Sequence, residues 1–157
     1  MIFLEIDPGL DLPLPSDLLE RAAQATLAQQ AAAPAEYPKG EADLTLVLTG
    51  DARIQALNRD FLGRDASTDV LSFPADETDP ETGRRYLGDV VISLPRAVEQ
   101  AAARGHALEA EVQLLIVHSV LHLLGYDHAE AQEKARMWTA QAEVLERLGL
   151  PTSIIRE

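Results

Sequence analysis

The stretch from Leu108 to Leu124 leaves this chain fewer choices than any other. From Leu114 onward it is apolar on almost every side of a helix, with Leu114 to Val117 apolar without interruption. A helix that is apolar all round must be surrounded by protein, so it belongs in the middle of the fold with other elements packed about it. It is too short for the ~20 residues that a membrane span needs, and no membrane partner is expected. Two of its residues are nevertheless histidines, His118 and His122. A polar ring in such a helix is desolvated and must find a partner.

The rest of the chain supplies what could surround that helix. Ile2 to Ile6 suits a strand, stopped by Asp7-Pro8-Gly9. Ser16 is placed to cap a helix running to about Ala33, with Leu19, Ala22, Ala23, Thr26 and Leu27 on its apolar face. Leu44, Leu46 and Leu48 alternate with Thr45, Val47 and Thr49, the period of a strand. Asp51 then caps a short helix with Ile54, Leu57 and Phe61 inward, ended at Gly63. Asp69 to Phe73, stopped by Pro74, and Leu87 to Ser93 read as two strands of a long hairpin, with an acidic turn-rich segment between them. Pro95 opens a helix to Arg104. A last helix from about Ala129 to Leu148 points Met137, Trp138, Val144, Leu145 and Leu148 inward. Strands and helices interleaved with neighbouring strands give an α+β class, with a mixed sheet of about four strands.

At 157 residues and 46% hydrophobic, the chain has the size of one domain spanning 1–157. The start, Met1 to Asp7, lacks the basic region of a secretory signal, so a soluble, cytoplasmic protein is expected.

With no cysteine in the sequence, disulfides, thiolate metal sites and cysteine nucleophiles are excluded. Any metal must sit on His, Asp or Glu. His118 and His122 are four residues apart, ~6 Å along one helix face, and so aim at a common point. Gly125 can adopt the left-handed turn that breaks the helix and returns His128 to the same point. Three neutral imidazoles leave a tetrahedral ion one open position for water, and zinc suits such a donor set first. A buried histidine alone is more often a hydrogen-bonded core residue. Two on one turn of an apolar helix, followed by a reversing glycine and a third, point to metal. The fourth histidine, His106, is expected at the surface, and Glu111 is expected to be solvated.

A three-histidine site with an open position activates water for hydrolysis. The spacing of His118, His122, Gly125 and His128 matches the extended zinc-protease motif, but Ser119 stands where a peptidase places its glutamate base. The general base is not evident in the sequence. The formal net charge is −13, which argues against sequence-independent nucleic-acid binding by bulk electrostatics, and no DNA partner is expected. Seven of the 13 basic residues nonetheless fall between positions 51 and 105, among them Arg59 and Arg64.

The block His118 to His128, together with Thr68-Asp69-Val70-Leu71-Ser72-Phe73-Pro74 after Leu57-Asn58, and Gly88-Asp89-Val90-Val91-Ile92-Ser93, resembles the YbeY family of bacterial metal-dependent endoribonucleases. The likeness runs from about Leu44 to Leu148. It implies a zincin-like fold, one zinc ion on His118, His122 and His128, single-stranded RNA as substrate, and work on the 3′ end of small-subunit rRNA and in ribosome quality control. Ser119 stands where many members have Gly. Many members also carry an Arg directly after the aromatic residue of the helix before the Thr-Asp segment; here Leu62 follows Phe61, which leaves Arg59 and Arg64 as the nearby candidates for phosphate contact. Asp69 and Asp89 are expected to cap or bond backbone, and Tyr126 and Asp127 to shape the ligand loop. Two other readings are kept open: a metallohydrolase of another substrate such as a peptide, and a ribosome-associated assembly factor with a structural metal.

Overall fold

Leu44, Leu46 and Leu48 lie on one face of a strand, and the sheet forms around them. In a computed structural model that describes residues 1–29 and 41–155, the strands β1 (Ile2–Ile6), β2 (Ala42–Thr49), β3 (Val70–Thr78) and β4 (Arg85–Ser93) stand in the order β1-β2-β4-β3. β2 runs parallel to both β1 and β4, while β3 pairs antiparallel with β4 along the edge. The sheet is therefore mixed, as expected.

The helices are α1 (Ser16–Leu27), α2 (Asp51–Leu62), α3 (Leu94–Arg104), α4 (Leu108–Leu123) and α5 (Ala131–Arg147), followed by a 3-10 turn at Thr152–Ile154. The two sheet faces carry different cores. Leu44, Leu46 and Leu48 of β2 and Val90 and Ile92 of β4 pack with Leu19 and Ala22 of α1, Val112, Ile116 and Val120 of α4, and Met137 and Val144 of α5. Each fully buried Leu, Ile or Val contributes ~1.5–3 kcal/mol, so this layer supplies most of the driving force. The opposite face holds a smaller cluster of Val47, Leu71 and Val91 with Ile54 of α2. The central placement of α4 follows from its composition, and it touches α1, α3, α5, β3 and β4. Among the described residues, no helix is long and apolar enough to cross a membrane.

Several local expectations change. Pro15, not Ser16, occupies the cap position of α1, and no side chain caps that helix. The expected continuation of α1 to Ala33 lies outside the described residues beyond position 29. Gly50 precedes α2, and the Asp51 carboxylate instead accepts from Ser67 Oγ at 2.9 Å and Ser93 Oγ at 2.6 Å, tying three chain segments together. Those hydroxyls hold Asp51 below the usual carboxylate range, the Ser93 bond most of all. β3 does not stop at Pro74 but runs on to Thr78, because an edge strand tolerates a residue without an N–H. Phe61 does not point inward; it is 69% exposed and meets Phe73 edge-on, with ring centres 5.8 Å apart.

Candidate metal centre and the adjoining cleft

His118 and His122 stand one turn apart on α4, as their spacing requires, with Nε2 atoms 3.1 Å apart. α4 ends at Leu123; Gly125 takes a φ of 97°, and the Tyr126 N–H bonds back to the Leu121 carbonyl at 3.0 Å. That closure is open to glycine because a side chain there would be strained. It carries the chain round so that His128 joins the pair, and one ligand atom from each of the three rings lies within 4.8 Å of the others. Each ring centre is 4.7 to 5.9 Å from the next.

The hydrogen bonds decide which nitrogens face the centre. His118 Nδ1 donates to Gln141 Oε1 on α5 at 3.2 Å, and His122 Nδ1 donates to the Tyr126 carbonyl at 3.0 Å. A carbonyl only accepts, so both Nδ1 atoms carry protons and both Nε2 atoms are left with lone pairs. Two lone pairs opposed at 3.1 Å repel unless a cation lies between them. Burial, and then the neighbouring His122, hold His118 down at about 4, while burial and His128 lower His122. Protons are thus poor candidates for that cation near neutral pH, and the donor set fits a divalent metal. His128 is exposed, so one side of the cluster stays open to solvent.

A cleft of about 880 Å³ opens beside this cluster. It is lined by His118 and His128, by Asp69 and Val70 at the start of β3, and by Ala131, Lys134, Ala135 and Trp138 of α5. Leu114, Leu115 and Met137 also line it. Asp69 therefore borders the site, whereas Asp89 lies on the opposite sheet face from Val90 and is bound by the Tyr86 hydroxyl. Asp127 accepts the backbone N–H of His128 at 2.7 Å, shaping the ligand loop as expected.

Arg59 and Arg64, the expected phosphate contacts, sit outside this cleft. Arg59 is exposed on α2 and bonds the adjacent Asp60 at 2.9 Å, and Arg64 is exposed in the following loop. Neither lines the cleft, and α2 packs on the sheet face away from α4. Three other residues differ from expectation. Glu111 is completely buried, not solvated, with Arg104 at 3.8 Å and His106 at 3.4 Å; His106 is accordingly tucked against it and only 16% exposed. Desolvation pushes the Glu111 carboxyl up, opposed by Arg104 and His106. Trp138, expected inward, is 45% exposed at the rim of the cleft. Sequence reasoning also misses Gln141, although its place between Met137 and Val144 on the buried stripe of α5 marks it as a polar residue needing a partner.

The family model for endoribonuclease YbeY matches residues 13–149. The chain belongs to the endoribonuclease YbeY family. Endoribonuclease YbeY of Chloroflexus aurantiacus (strain ATCC 29366 / DSM 635 / J-10-fl) is 44% identical over 156 residues, 96% of each chain. That of Moorella thermoacetica is 48% identical over 128 residues, 77% of this chain and 82% of its relative. The solution structure of TM1509 from Thermotoga maritima, at 24% identity, superposes with a TM-score of 0.58 over 99% of this chain and 97% of that one, and shares the fold. The YbeY assignment bears out the expected zincin-like α+β class and the expected enzyme class, an endoribonuclease.

Proposed function

We propose that this YbeY-family chain is a zinc-dependent endoribonuclease, folded as one domain in the cytoplasm, that cuts single-stranded RNA in maturing the 3′ end of small-subunit rRNA and in ribosome quality control. His118, His122 and His128 are the residues that would hold one zinc ion. When bound there, zinc would lower the pKa of water toward neutrality and offer a Lewis acid to a phosphoryl oxygen. The observation that carries this reading is the pair of histidine Nε2 atoms opposed at 3.1 Å beside an open cleft.

The chain's own residues contribute orientation. Gln141 and the Tyr126 carbonyl hold two rings in the tautomer that turns lone pairs inward, and the apolar lining from Leu114, Leu115 and Met137 limits water along one side. Ser119 is buried within α4 and has no carboxylate to offer, which disfavours the peptidase alternative. Arg59 and Arg64 would contact phosphates of an RNA strand only beyond the cleft. The exposure of His128 favours a working centre over the structural metal of an assembly factor, because a structural site is normally closed by four protein ligands.

The test compares zinc-loaded protein with His122→Ala, prepared identically, on a labelled RNA carrying the sequence of the immature 3′ end of small-subunit rRNA. Cleavage by the first and none by a still-folded second is the expected result. Equal cleavage by both, or none by either across several metals, would sink the reading. Loss of folding together with loss of metal would favour the assembly factor, and casein digestion would favour the peptidase.

A further inference from the structure

The stripe Ala131, Lys134, Ala135 and Trp138 follows the i, i+3, i+4, i+7 spacing of one helix face, yet all four side chains are exposed and all four line the cleft. Packing does not explain this face, since α5 buries Met137, Ala140, Gln141, Val144 and Leu145 on another. An indole left 45% open beside a cleft is a large apolar surface kept in water. The two alanines leave the wall beside it low, giving room for a flat ring to lie against the indole. Lys134, one turn from Trp138, is the one Lys or Arg among the residues lining the cleft. In a chain of net charge −13, a single cation lining the same cleft as the histidines counts for more than Arg59 and Arg64 outside it.

We infer that α5 carries a nucleotide subsite in which a base of the single-stranded RNA stacks on Trp138 and an adjacent phosphate pairs with Lys134, feeding the strand toward His118 and His128. The inference rests on the endoribonuclease reading and deepens it by naming substrate-positioning residues. Stacking on an aromatic ring and pairing with a nearby cation are the two contacts through which proteins hold single strands irrespective of sequence.

Trp138 is the only tryptophan of the chain, so its emission reports on the subsite without a label. A single-stranded RNA hexamer is mixed with the zinc-loaded full chain, and emission is followed before turnover while cleavage is measured in parallel. Saturable quenching is expected, weakening with salt. Trp138→Ala should raise KM roughly 10-fold with kcat within about twofold, and Trp138→Phe should restore most of the loss. Lys134→Ala should raise KM several-fold and reduce the slope of the salt dependence by about one. Unchanged emission while the wild type cuts RNA, or unchanged KM in both alanine variants, would overturn the subsite and leave the nuclease reading standing. Quenching without cleavage would uphold the subsite and overturn the nuclease reading. Quenching by an unstructured casein peptide but not by RNA would overturn the subsite as a place for nucleotides.

Discussion

Gln141 of α5 accepts a hydrogen bond from His118 of α4 at 3.2 Å, across 23 residues of sequence. That contact fixes which ring nitrogen of His118 is free, so it acts on metal affinity without touching the metal. Gln141→Leu should keep the fold, since the site is buried, and weaken zinc roughly 10- to 100-fold in competition with a chromophoric chelator. An unchanged affinity would mean that packing alone orients the ring.

The metal-free chain should lose stability in acid for a reason located at the same cluster. The unfolded His118 has its ordinary pKa of 6.5 and the folded one about 4, so between those values the unfolded chain binds a proton that the folded one refuses. Stability from this group is present above about pH 6.5, falls as pH drops, and is lost by about pH 4. The integrated loss is on the order of 3 kcal/mol, and His122 shifts in the same sense. Urea midpoints measured with chelator present from about pH 7.5 to about pH 4.5 should decline across this window. Zinc should restore the midpoint most at the upper end, where the rings are already unprotonated.

Gly88 pairs with Pro74 in the β3–β4 ladder at a φ of 137°, and a Cβ there would lie 2.1 Å from the Phe73 carbonyl oxygen. Backbone cannot swing aside as a flexible side chain does. Gly88→Ala is expected to cost about 3 kcal/mol or more, read as a fall in denaturant midpoint. A loss below about 1 kcal/mol would show that the edge strand gives way easily.

Glu111 is buried against Arg104 and His106. Truncation to Ala leaves both partners facing a hole that no longer carries charge, with an expected loss of about 2–3 kcal/mol, whereas Glu111→Gln keeps an acceptor and should cost about 1 kcal/mol. Chemical denaturation of the two variants separates them. Equal losses would place the penalty in lost volume instead of in polar pairing.

Where sequence and structure agree, a local physical rule carries the agreement. α4 and its two histidines are legible because an all-round apolar helix has one place to go and four residues make about one turn. The strand β2 is legible because its leucines alternate. The partners of Glu111 are not, since its burial depends on how the α3–α4 turn brings His106 and Arg104 back over the start of α4, and nothing local encodes that return. Trp138 reads as inward because large apolar residues normally are; the cleft it lines also draws on the start of β3, which is far away in sequence. Arg59 and Arg64 lie near Asp69 in sequence, but the sheet intervenes between α2 and α4.

The position of β3 at the rim of the sheet has a consequence for how this chain behaves in concentrated solution. An outer strand invites a second copy to extend the sheet by main-chain pairing. Pro74, in the middle of β3, has no N–H to offer, and Glu77 and Asp79 near its end add negative charge. A neighbouring copy would meet a gap in the ladder and an acidic run like its own, so the same strand that borders the cleft also discourages the molecule from templating its own aggregation.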